Sequence, residues 1–334
     1  MTGKGQLRFA ALLAALALAG CHSSEPSPAG PTATQPVATA ATAVPPGAPV
    51  ATATTAPPPA GTARRDDPAA HASRAWKDIT YCTAGGVDLK ADIYAPNNAS
   101  GPAALVVYVH GGAWVSGDKA SGAGARDIPA LLDAGFAVAG VNYRLAPDFK
   151  FPAMIEDVKC AIRFFRANAA AYGFDPARIG AWGGSAGGHL VSLLGLAGPS
   201  AGFDTGQYAD YSSAVQAVVD MFGPADLTVD FAGAAGQLRA NVFGSFSPAA
   251  ASPVTYASPG DPPFLILHGD QDNVVPLAQS QRLLQALQAA GVPAELVVVQ
   301  HAGHSFAQVG PDPISPSREQ ITQRVVAFFQ EWLR

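Results

Sequence analysis

Six short apolar runs, separated by longer segments with helical periodicity, restrict the fold of this chain more than any other feature. The runs lie at residues 104–110, 136–143, 178–183, 215–222, 263–269 and 294–300. Strands that are apolar at nearly every position are typical of a parallel sheet covered on both faces. Their alternation with helices predicts the α/β class, with a mostly parallel central sheet and helices on both faces.

The segments between the runs carry helical patterns at residues 154–173, 186–198, 277–291 and 318–334. In the first of them, Ile155, Val158 and Ile162 recur at spacings of three and four, which predicts one buried stripe, and Gly173 is the expected stop. Residues 86–95, "GVDLKADIYA", instead alternate apolar and polar side chains with period two. That alternation predicts an outer antiparallel strand.

The first 21 residues, "MTGKGQLRFAALLAALALAGC", have the layout of a secretory signal. Lys4 and Arg8 precede an apolar run that is too short to span a membrane, and small residues precede Cys21. The ending "LAGC" resembles the lipobox of bacterial lipoproteins, in which the cysteine becomes the lipidated first residue. We therefore expect an exported protein anchored to the membrane through Cys21, with an ordinary cleaved signal peptide as the alternative.

Residues 22–70 are rich in Pro, Ala, Thr and Ser and contain no Phe, Tyr or Trp. Such a segment buries too little surface to offset its ordering entropy, which predicts a disordered linker before a catalytic domain at residues 72–334. Cys82 and Cys160 would lie in an oxidising compartment, where a disulfide between them is permitted. Two free buried cysteines are the alternative.

Charge and ligand spacing exclude several classes of function. The formal net charge is −5 and only 13% of the residues are charged, so there is no basic stripe for a nucleic-acid backbone. No group of His, Cys and carboxylate residues has the spacing of metal ligands. We expect no nucleic-acid partner, no metal and no cofactor.

A serine surrounded by glycines lies where one apolar run ends and a helical pattern begins. Gly183, Ser185 and Gly187 fit the pattern G-x-S-x-G within "GGSAGG". Glycines at those positions leave room for a strained turn that lifts the hydroxyl above the sheet, beside the N–H groups of the following helix. Ser185 is therefore the candidate nucleophile.

A second glycine motif, "HGGAW" at residues 110–114, directly follows the run at 104–110. Consecutive glycines allow backbone N–H groups to face an oxygen that gains negative charge. Gly111 and Gly112, together with Ala186, are the predicted oxyanion donors. We expect His110 to lie buried beside this loop and to orient it.

A serine nucleophile requires a base, and the base requires a carboxylate to orient it. His304, in "HAGHSF" after the last apolar run, is the predicted base. Asp272, in "HGDQDNVVP", lies at the carboxyl end of a strand and is the preferred carboxylate. Its competitors are assigned to other tasks, Asp270 to turn formation and Asp226 to a helix N-cap. Position along the fold sets aside the remaining histidines, which are His22, His71, His189, His268 and His301.

Five ordered motifs carry a family resemblance: "HGGAW", "VNYRLAP", "GGSAGGHL", "HGDQDNVVP" and "HAGHSF". Together they resemble the α/β-hydrolase esterases related to hormone-sensitive lipase, and most closely the bacterial acetyl-esterase and feruloyl-esterase-like branch. The resemblance covers about residues 78–332. It implies an α/β-hydrolase fold in which Ser185 is the nucleophile, His304 the base and Asp272 the orienting acid, with Gly111, Gly112 and Ala186 as oxyanion donors.

The chain departs from the family pattern at Ala113, where a third glycine is usual in hormone-sensitive-lipase relatives. A large N-terminal cap is also missing in the resembled branch, so we expect a small cap or none. Residues 227–261 are the expected source of any lid, with a surface excursion away from the substrate as the alternative.

These expectations combine into a serine carboxylesterase that acts on a small-molecule ester with a short acyl or an aromatic group. An amidase or peptidase that uses the same triad is the nearest alternative. A lipoprotein whose hydrolase fold serves only as a binding scaffold is the alternative from another class, and the presence of every triad member disfavours it. The sequence leaves the oligomeric state open.

Overall fold

The computed structural model describes residues 67–229 and 240–333. The predicted signal peptide with Cys21, and the predicted linker up to residue 66, lie outside these ranges. Eight strands are present, β1 Ala72–Ala84, β2 Val87–Pro96, β3 Ala103–Val109, β4 Ala137–Val141, β5 Phe174–Gly184, β6 Ala217–Met221, β7 Phe264–Gly269 and β8 Ala294–Val299. The helices whose two ends are both described are α1 Ile128–Asp133, α2 Ala153–Tyr172, α3 Ala186–Leu196, α4 Ala278–Ala289 and α5 Arg318–Trp332.

All eight strands belong to one sheet, in the order β1-β2-β4-β3-β5-β6-β7-β8. Strand β2 is antiparallel to both of its neighbours, and strands β3 to β8 are parallel to one another. Val109 at the end of β3 pairs with Gly183 of β5, and Gly183 pairs with Asp220 of β6. The loops that follow these three strands therefore leave the sheet side by side, at its carboxyl edge.

The central strands are covered on both faces, which explains their continuous apolar sequences. Along β3, Leu105 and Val107 point into one core cluster with residues of α2, α3 and α4. Val106 and Tyr108 point into a second cluster with residues of α1 and α5. This arrangement confirms the predicted α/β class, with helices on both faces of a mostly parallel sheet.

Most predicted elements lie within a few residues of their predicted bounds, and Gly173 ends α2 in a left-handed conformation with φ of 78°. Two elements were not predicted, β1 and α1. Strand β1, "ASRAWKDITYCTA", is mostly exposed and has no apolar run to mark it. It pairs with the outer side of β2, so β2 is antiparallel as predicted, but the prediction that it is the outer strand was wrong.

Regular structure is also present just before the predicted domain boundary at residue 72. A 3-10 turn spans Pro68–His71, and the side chain of Asp67 caps it by accepting a hydrogen bond from Ala69 N at 3.0 Å. Within the described ranges, no helix combines the length and apolarity that a membrane crossing requires.

A disulfide joins Cys82 on β1 to Cys160 on α2, with the two Cα atoms 6.5 Å apart. Both cysteines are buried. The same stretch of α2 holds the loop before β6, because Lys159 Nζ donates to Asp204 Oδ2 at 2.8 Å and Arg163 Nη1 donates to Asp204 Oδ1 at 3.2 Å. Helix α2 is thus linked to β1 by the disulfide and to this loop by ion pairs.

Replacing both cysteines with serine is expected to lower the free energy of unfolding. The link closes a loop across a sequence separation of 78, and loss of such a constraint on the unfolded chain costs about 2–4 kcal/mol. Urea denaturation of the wild type and the double variant measures the difference, and wild type kept reduced with dithiothreitol is the control that should match the variant. Equal midpoints in all three samples would contradict a stabilising disulfide.

Candidate active site

Ser185 occupies the sharp turn between β5 and α3, with φ of 58° and ψ of −121°. A left-handed conformation is strained for a residue other than glycine, and the surrounding structure must hold it. Ser185 N donates to Met221 O at 2.9 Å, which ties the turn to β6. A Cβ on Gly183 would lie only 2.6 Å from the carbonyl carbon of Gly187, so the turn closes this tightly because glycine stands there.

His304 reaches across the carboxyl edge of the sheet from the loop after β8. Its Nε2 lies 3.1 Å from Ser185 Oγ, and its Nδ1 lies 2.7 Å from Asp272 Oδ2. Because an ionised carboxylate only accepts hydrogen bonds, the Nδ1 atom carries the proton and the Nε2 lone pair faces the serine hydroxyl. Phe222 packs edge-on against the imidazole, with ring centroids 4.9 Å apart. The ring is thereby fixed in position between serine and carboxylate.

Asp272 follows β7 and its side chain is buried. Val274 N and Val275 N donate to Oδ1 at 2.8 and 2.9 Å, and His268 Nε2 lies 3.5 Å from Oδ2. Burial alone would raise the pKa of Asp272. Hydrogen bonds from His268, His304 and Val275 N outweigh burial and hold the pKa of this carboxyl well below its usual range. The carboxylate therefore stays ionised through the neutral pH range.

His268, which the sequence analysis did not select as the base, helps to position Asp272 and its loop. It is fully buried, its Nδ1 accepts from Ser280 Oγ at 2.7 Å, and its Nε2 donates to Val275 O at 2.8 Å. This pair of bonds fixes the tautomer and holds the loop that carries Asp272. The sequence offered one signal, the position of His268 at the end of a strand four residues before Asp272.

The loop after β3 lies directly against Ser185. Gly111 and Gly112 line the same cavity as Ser185 and His304, with a volume of about 500 Å³. A Cβ on Gly111 would lie 2.7 Å from Gly184 O and 3.4 Å from Ser185 Cβ. Ala186, the third predicted oxyanion donor, is buried at the first position of α3. The structure thus brings the two glycine motifs together around one hydroxyl.

Gly111→Ala is expected to lower kcat about 10²–10³-fold, the loss seen when one oxyanion donor is removed. The added methyl group cannot fit without moving the loop away from the turn at Ser185. Kinetics on a nitrophenyl ester measure the effect. Gly101→Ala is the matched control, because a Cβ there meets no atom within 4 Å and should leave kcat unchanged. Equal activity of both variants would contradict an oxyanion role for this loop.

His110 is buried beside the glycine loop, as expected, and its ring stacks on Tyr143 with centroids 4.3 Å apart. Its Nδ1 donates to Gly111 O at 2.7 Å, and Tyr143 OH donates to His110 O at 2.9 Å. Burial lowers the pKa of His110. A neutral imidazole therefore orients the peptide groups on which the predicted oxyanion donors lie.

His189, one turn into α3, points away from Ser185 into the core. Its Nε2 donates to Ala251 O at 2.8 Å, while its Nδ1 accepts from Trp114 Nε1 at 3.2 Å. Burial lowers the pKa of His189 to about 4, so the ring is neutral at pH 7. It links the glycine loop, through Trp114, to Ala251 within the predicted lid segment.

The competing carboxylates lie elsewhere. Asp270 Oδ1 accepts from Ala302 N at 3.2 Å, which ties two loops together rather than closing a local turn. Asp226 accepts from Thr228 N at 3.0 Å and lies 3.4 Å from Arg282 Nη1. Of the carboxylates that the sequence offered, the one within hydrogen-bond distance of His304 is Asp272.

The described part of the expected lid, residues 227–229 and 240–261, contributes no lining to the cavity at Ser185. Phe243 is instead buried against Trp114 and Phe151, with ring centroids 5.2 and 5.4 Å away. Among the described residues there is also no cluster of three or more His, Cys, Asp or Glu side chains that could hold a metal ion.

Comparisons with known proteins agree with this fold. The BD-FAE family profile matches residues 91–287. Esterase LipQ of Mycobacterium tuberculosis is 34% identical over 239 residues, which are 67% of this chain and 56% of LipQ. The chain spans 50–58% of the length of LipQ and two further mycobacterial relatives.

Two solved structures superpose over most of the described domain. A truncated carbohydrate esterase from gut microbiota has a TM-score of 0.66 and 31% identity, covering 78% of this chain and 97% of that chain. A thermophilic esterase of the planctomycete Thermogutta terrifontis with butyrate bound has a TM-score of 0.64 and 28% identity, covering 76% and 92%. The chain therefore belongs to the BD-FAE family, within the α/β-hydrolase esterases related to hormone-sensitive lipase.

Proposed function

We propose that this protein is a serine carboxylesterase with Ser185 as nucleophile, His304 as general base and Asp272 as the orienting carboxylate. The observation that carries the proposal is the hydrogen-bonded chain from Asp272 through His304 to Ser185, at 2.7 and 3.1 Å. The names of LipQ and of the gut carbohydrate esterase, both esterases, support the same reaction class.

The reaction proceeds in two halves. His304 Nε2 takes the proton of Ser185 Oγ as that oxygen attacks the ester carbonyl carbon, and the imidazolium is stabilised by the Asp272 carboxylate. His304 then gives the proton to the departing alcohol, which leaves an acyl-enzyme on Ser185. Water activated by the same nitrogen attacks the acyl carbon, releases the acid and returns the proton to Ser185.

The negative charge on the carbonyl oxygen is stabilised by the N–H groups of Gly111, Gly112 and Ala186. Each such donor contributes on the order of 3 kcal/mol to the transition state in a comparable hydrolase. The donors are held before substrate arrives. Tyr143 bonds to His110 O, in the peptide group that carries Gly111 N–H, and His110 Nδ1 bonds to Gly111 O, in the peptide group that carries Gly112 N–H. Ala186 is held at the start of α3. Preorganisation of this kind avoids a reorganisation cost during the reaction.

The proposed substrates are esters with a short acyl or an aromatic group. The cavity at Ser185 has a volume of about 500 Å³, and Val115, Phe222 and Val274 are among its apolar lining residues. A small apolar cavity suits a group of this size. The butyrate in the Thermogutta terrifontis esterase supports a short acyl chain.

We further propose export and lipid anchoring at Cys21, from the signal-like sequence that ends there.

Hydrolysis of nitrophenyl acetate, butyrate and octanoate, methyl ferulate and an acetylated sugar by residues 67–334 tests the activity. We expect turnover of a short-chain or aromatic ester, and none above the uncatalysed rate with the Ser185→Ala variant. Nitroacetanilide is the control for amide cleavage. Turnover of the anilide without turnover of any ester would favour the amidase alternative, and turnover of neither by the folded wild type would reject the proposal.

A further inference from the structure

A second cavity, of about 610 Å³, adjoins the one that contains Ser185. Gly122, Ala123 and Ser305 line both cavities, and Ser305 directly follows His304 in the chain. A substrate bound at Ser185 can therefore extend into the second cavity. Because Arg126 and Arg318 also line it, we call it the arginine cavity.

Arg318 is held firmly at this cavity. Its Nη2 donates to Ala123 O at 2.7 Å and to Asp127 Oδ2 at 3.2 Å, and its guanidinium carbon lies 5.4 Å from the centre of the Phe306 ring. Asp127 is buried, and Thr322 Oγ1 donates to it at 2.6 Å. The charge of Arg318 is therefore offset by a buried carboxylate, and its plane is fixed.

One donor of that fixed guanidinium lacks an acceptor. Arg318 Nη1 is buried and has no hydrogen-bond partner within residues 67–229 and 240–333. Buried donors are nearly always paired in folded proteins, so this guanidinium keeps a hydrogen-bonding capacity that the described residues do not use.

Arg126 adds a charge that is not balanced. It is exposed, on the 3-10 turn Gly124–Asp127, and no carboxylate among the described residues lies within the 4.0 Å of an ion pair. Since Asp127 offsets Arg318, the arginine cavity carries net positive charge, although the whole chain is formally at −5. A positive cavity beside the nucleophile of an acidic protein favours an anionic ligand.

We propose that the arginine cavity binds a carboxylate carried by the ester substrate, a specificity that rests on the function proposed above. Guanidinium groups pair with carboxylates through parallel N–H···O bonds, and two arginines with one internal counter-ion suit a single negative charge. The carboxylate can belong to the acyl part, as in a half-ester of a dicarboxylic acid, or to the alcohol part, as in an ester of a hydroxy acid.

The test compares each anionic ester with a neutral partner of similar shape. For the alcohol side the pair is 4-acetoxybenzoate and its methyl ester, and for the acyl side it is mono(4-nitrophenyl) glutarate and 4-nitrophenyl pentanoate. The ratio of kcat/KM within each pair is measured for wild type, Arg126→Gln and Arg74→Gln. Comparing this ratio between proteins cancels the intrinsic reactivity of the esters.

Arg126→Gln is expected to lower the anionic-to-neutral ratio of kcat/KM about tenfold for one pair, because one charge-assisted hydrogen bond is lost. The kcat/KM values of the neutral esters should stay unchanged. Arg74→Gln removes the same charge from exposed β1 and should leave both ratios unchanged. The pair that responds identifies the side of the ester that carries the carboxylate. Equal ratios in wild type and Arg126→Gln for both pairs would overturn the inference.

Calorimetric titration of the Ser185→Ala variant with the same four esters separates this inference from the proposed reaction. Preferential binding of an anionic ester, lost when Arg126→Gln is added, supports the arginine cavity even if no ester is turned over. Equal binding of anionic and neutral partners would overturn the arginine cavity and leave the esterase proposal standing.

Discussion

Replacing Ser185 with alanine is expected to lower kcat for 4-nitrophenyl butyrate by at least about 10⁴-fold, since loss of a triad nucleophile removes the entire acyl-enzyme route. The turn itself should survive. Ser185 N donates to Met221 O through the backbone, and the side chain bonds only to His304 among the described residues. Thermal unfolding of the variant should therefore resemble that of the wild type, which separates catalytic loss from misfolding.

Ser121→Ala is the matched control for that experiment. Ser121 lines the same cavity, but its hydroxyl donates to Asp118 O at 3.1 Å and does not face His304. We expect its kcat to stay within about threefold of wild type, as for most surface substitutions. Substantial ester hydrolysis by a folded Ser185→Ala variant would show that another group attacks the carbonyl.

Asp272→Asn is expected to lower kcat about 10⁴-fold with little change in KM, as in other triads where the carboxylate becomes an amide. The asparagine amide would donate to His304 Nδ1, so the proton of the neutral ring would move to Nε2. That nitrogen could then no longer accept the proton of Ser185. The two backbone donors, Val274 N and Val275 N, can still bond to the amide oxygen, which preserves the loop.

Asp270→Asn provides the control for Asp272→Asn, because the two carboxylates lie two residues apart in the same loop. Asp270 accepts from Ala302 N, and an asparagine oxygen can accept the same bond. We expect its kcat to stay within a few-fold of wild type. A larger loss with Asp270→Asn than with Asp272→Asn would assign the orienting carboxylate to Asp270.

Much of the fold and of the site can be predicted from the sequence, because the strands, the glycine turns and the triad residues each have a local sequence pattern. Strands buried on both faces read as apolar runs, and the order of runs and helices allows few folds other than a parallel sheet. Glycine is required at Gly111, Gly183 and Gly187 because a Cβ there would lie less than 3 Å from backbone atoms. The carboxyl-edge rule then brings Asp272 and His304 to the same edge.

Features that depend on tertiary contacts were not predictable in the same way. Strand β1 is paired on one side only and mostly exposed, so its sequence lacks the apolar run of a central strand. The contact of His268 with Asp272 depends on how the loop after β7 folds back on its own strand. Arg126 and Arg318 are 192 positions apart in the sequence, and only the fold brings them to one cavity. No sequence spacing therefore indicates the cavity that they share.

The central claim is that Ser185 is the nucleophile activated by His304, and covalent labelling with a fluorophosphonate tests it most directly. Intact mass and peptide mapping should find one phosphonyl group per chain, on Ser185, with esterase activity lost in step with labelling. His304→Ala should label far more slowly, and Ser185→Ala not at all. Labelling at another residue, or full activity in protein labelled on Ser185, would contradict the account.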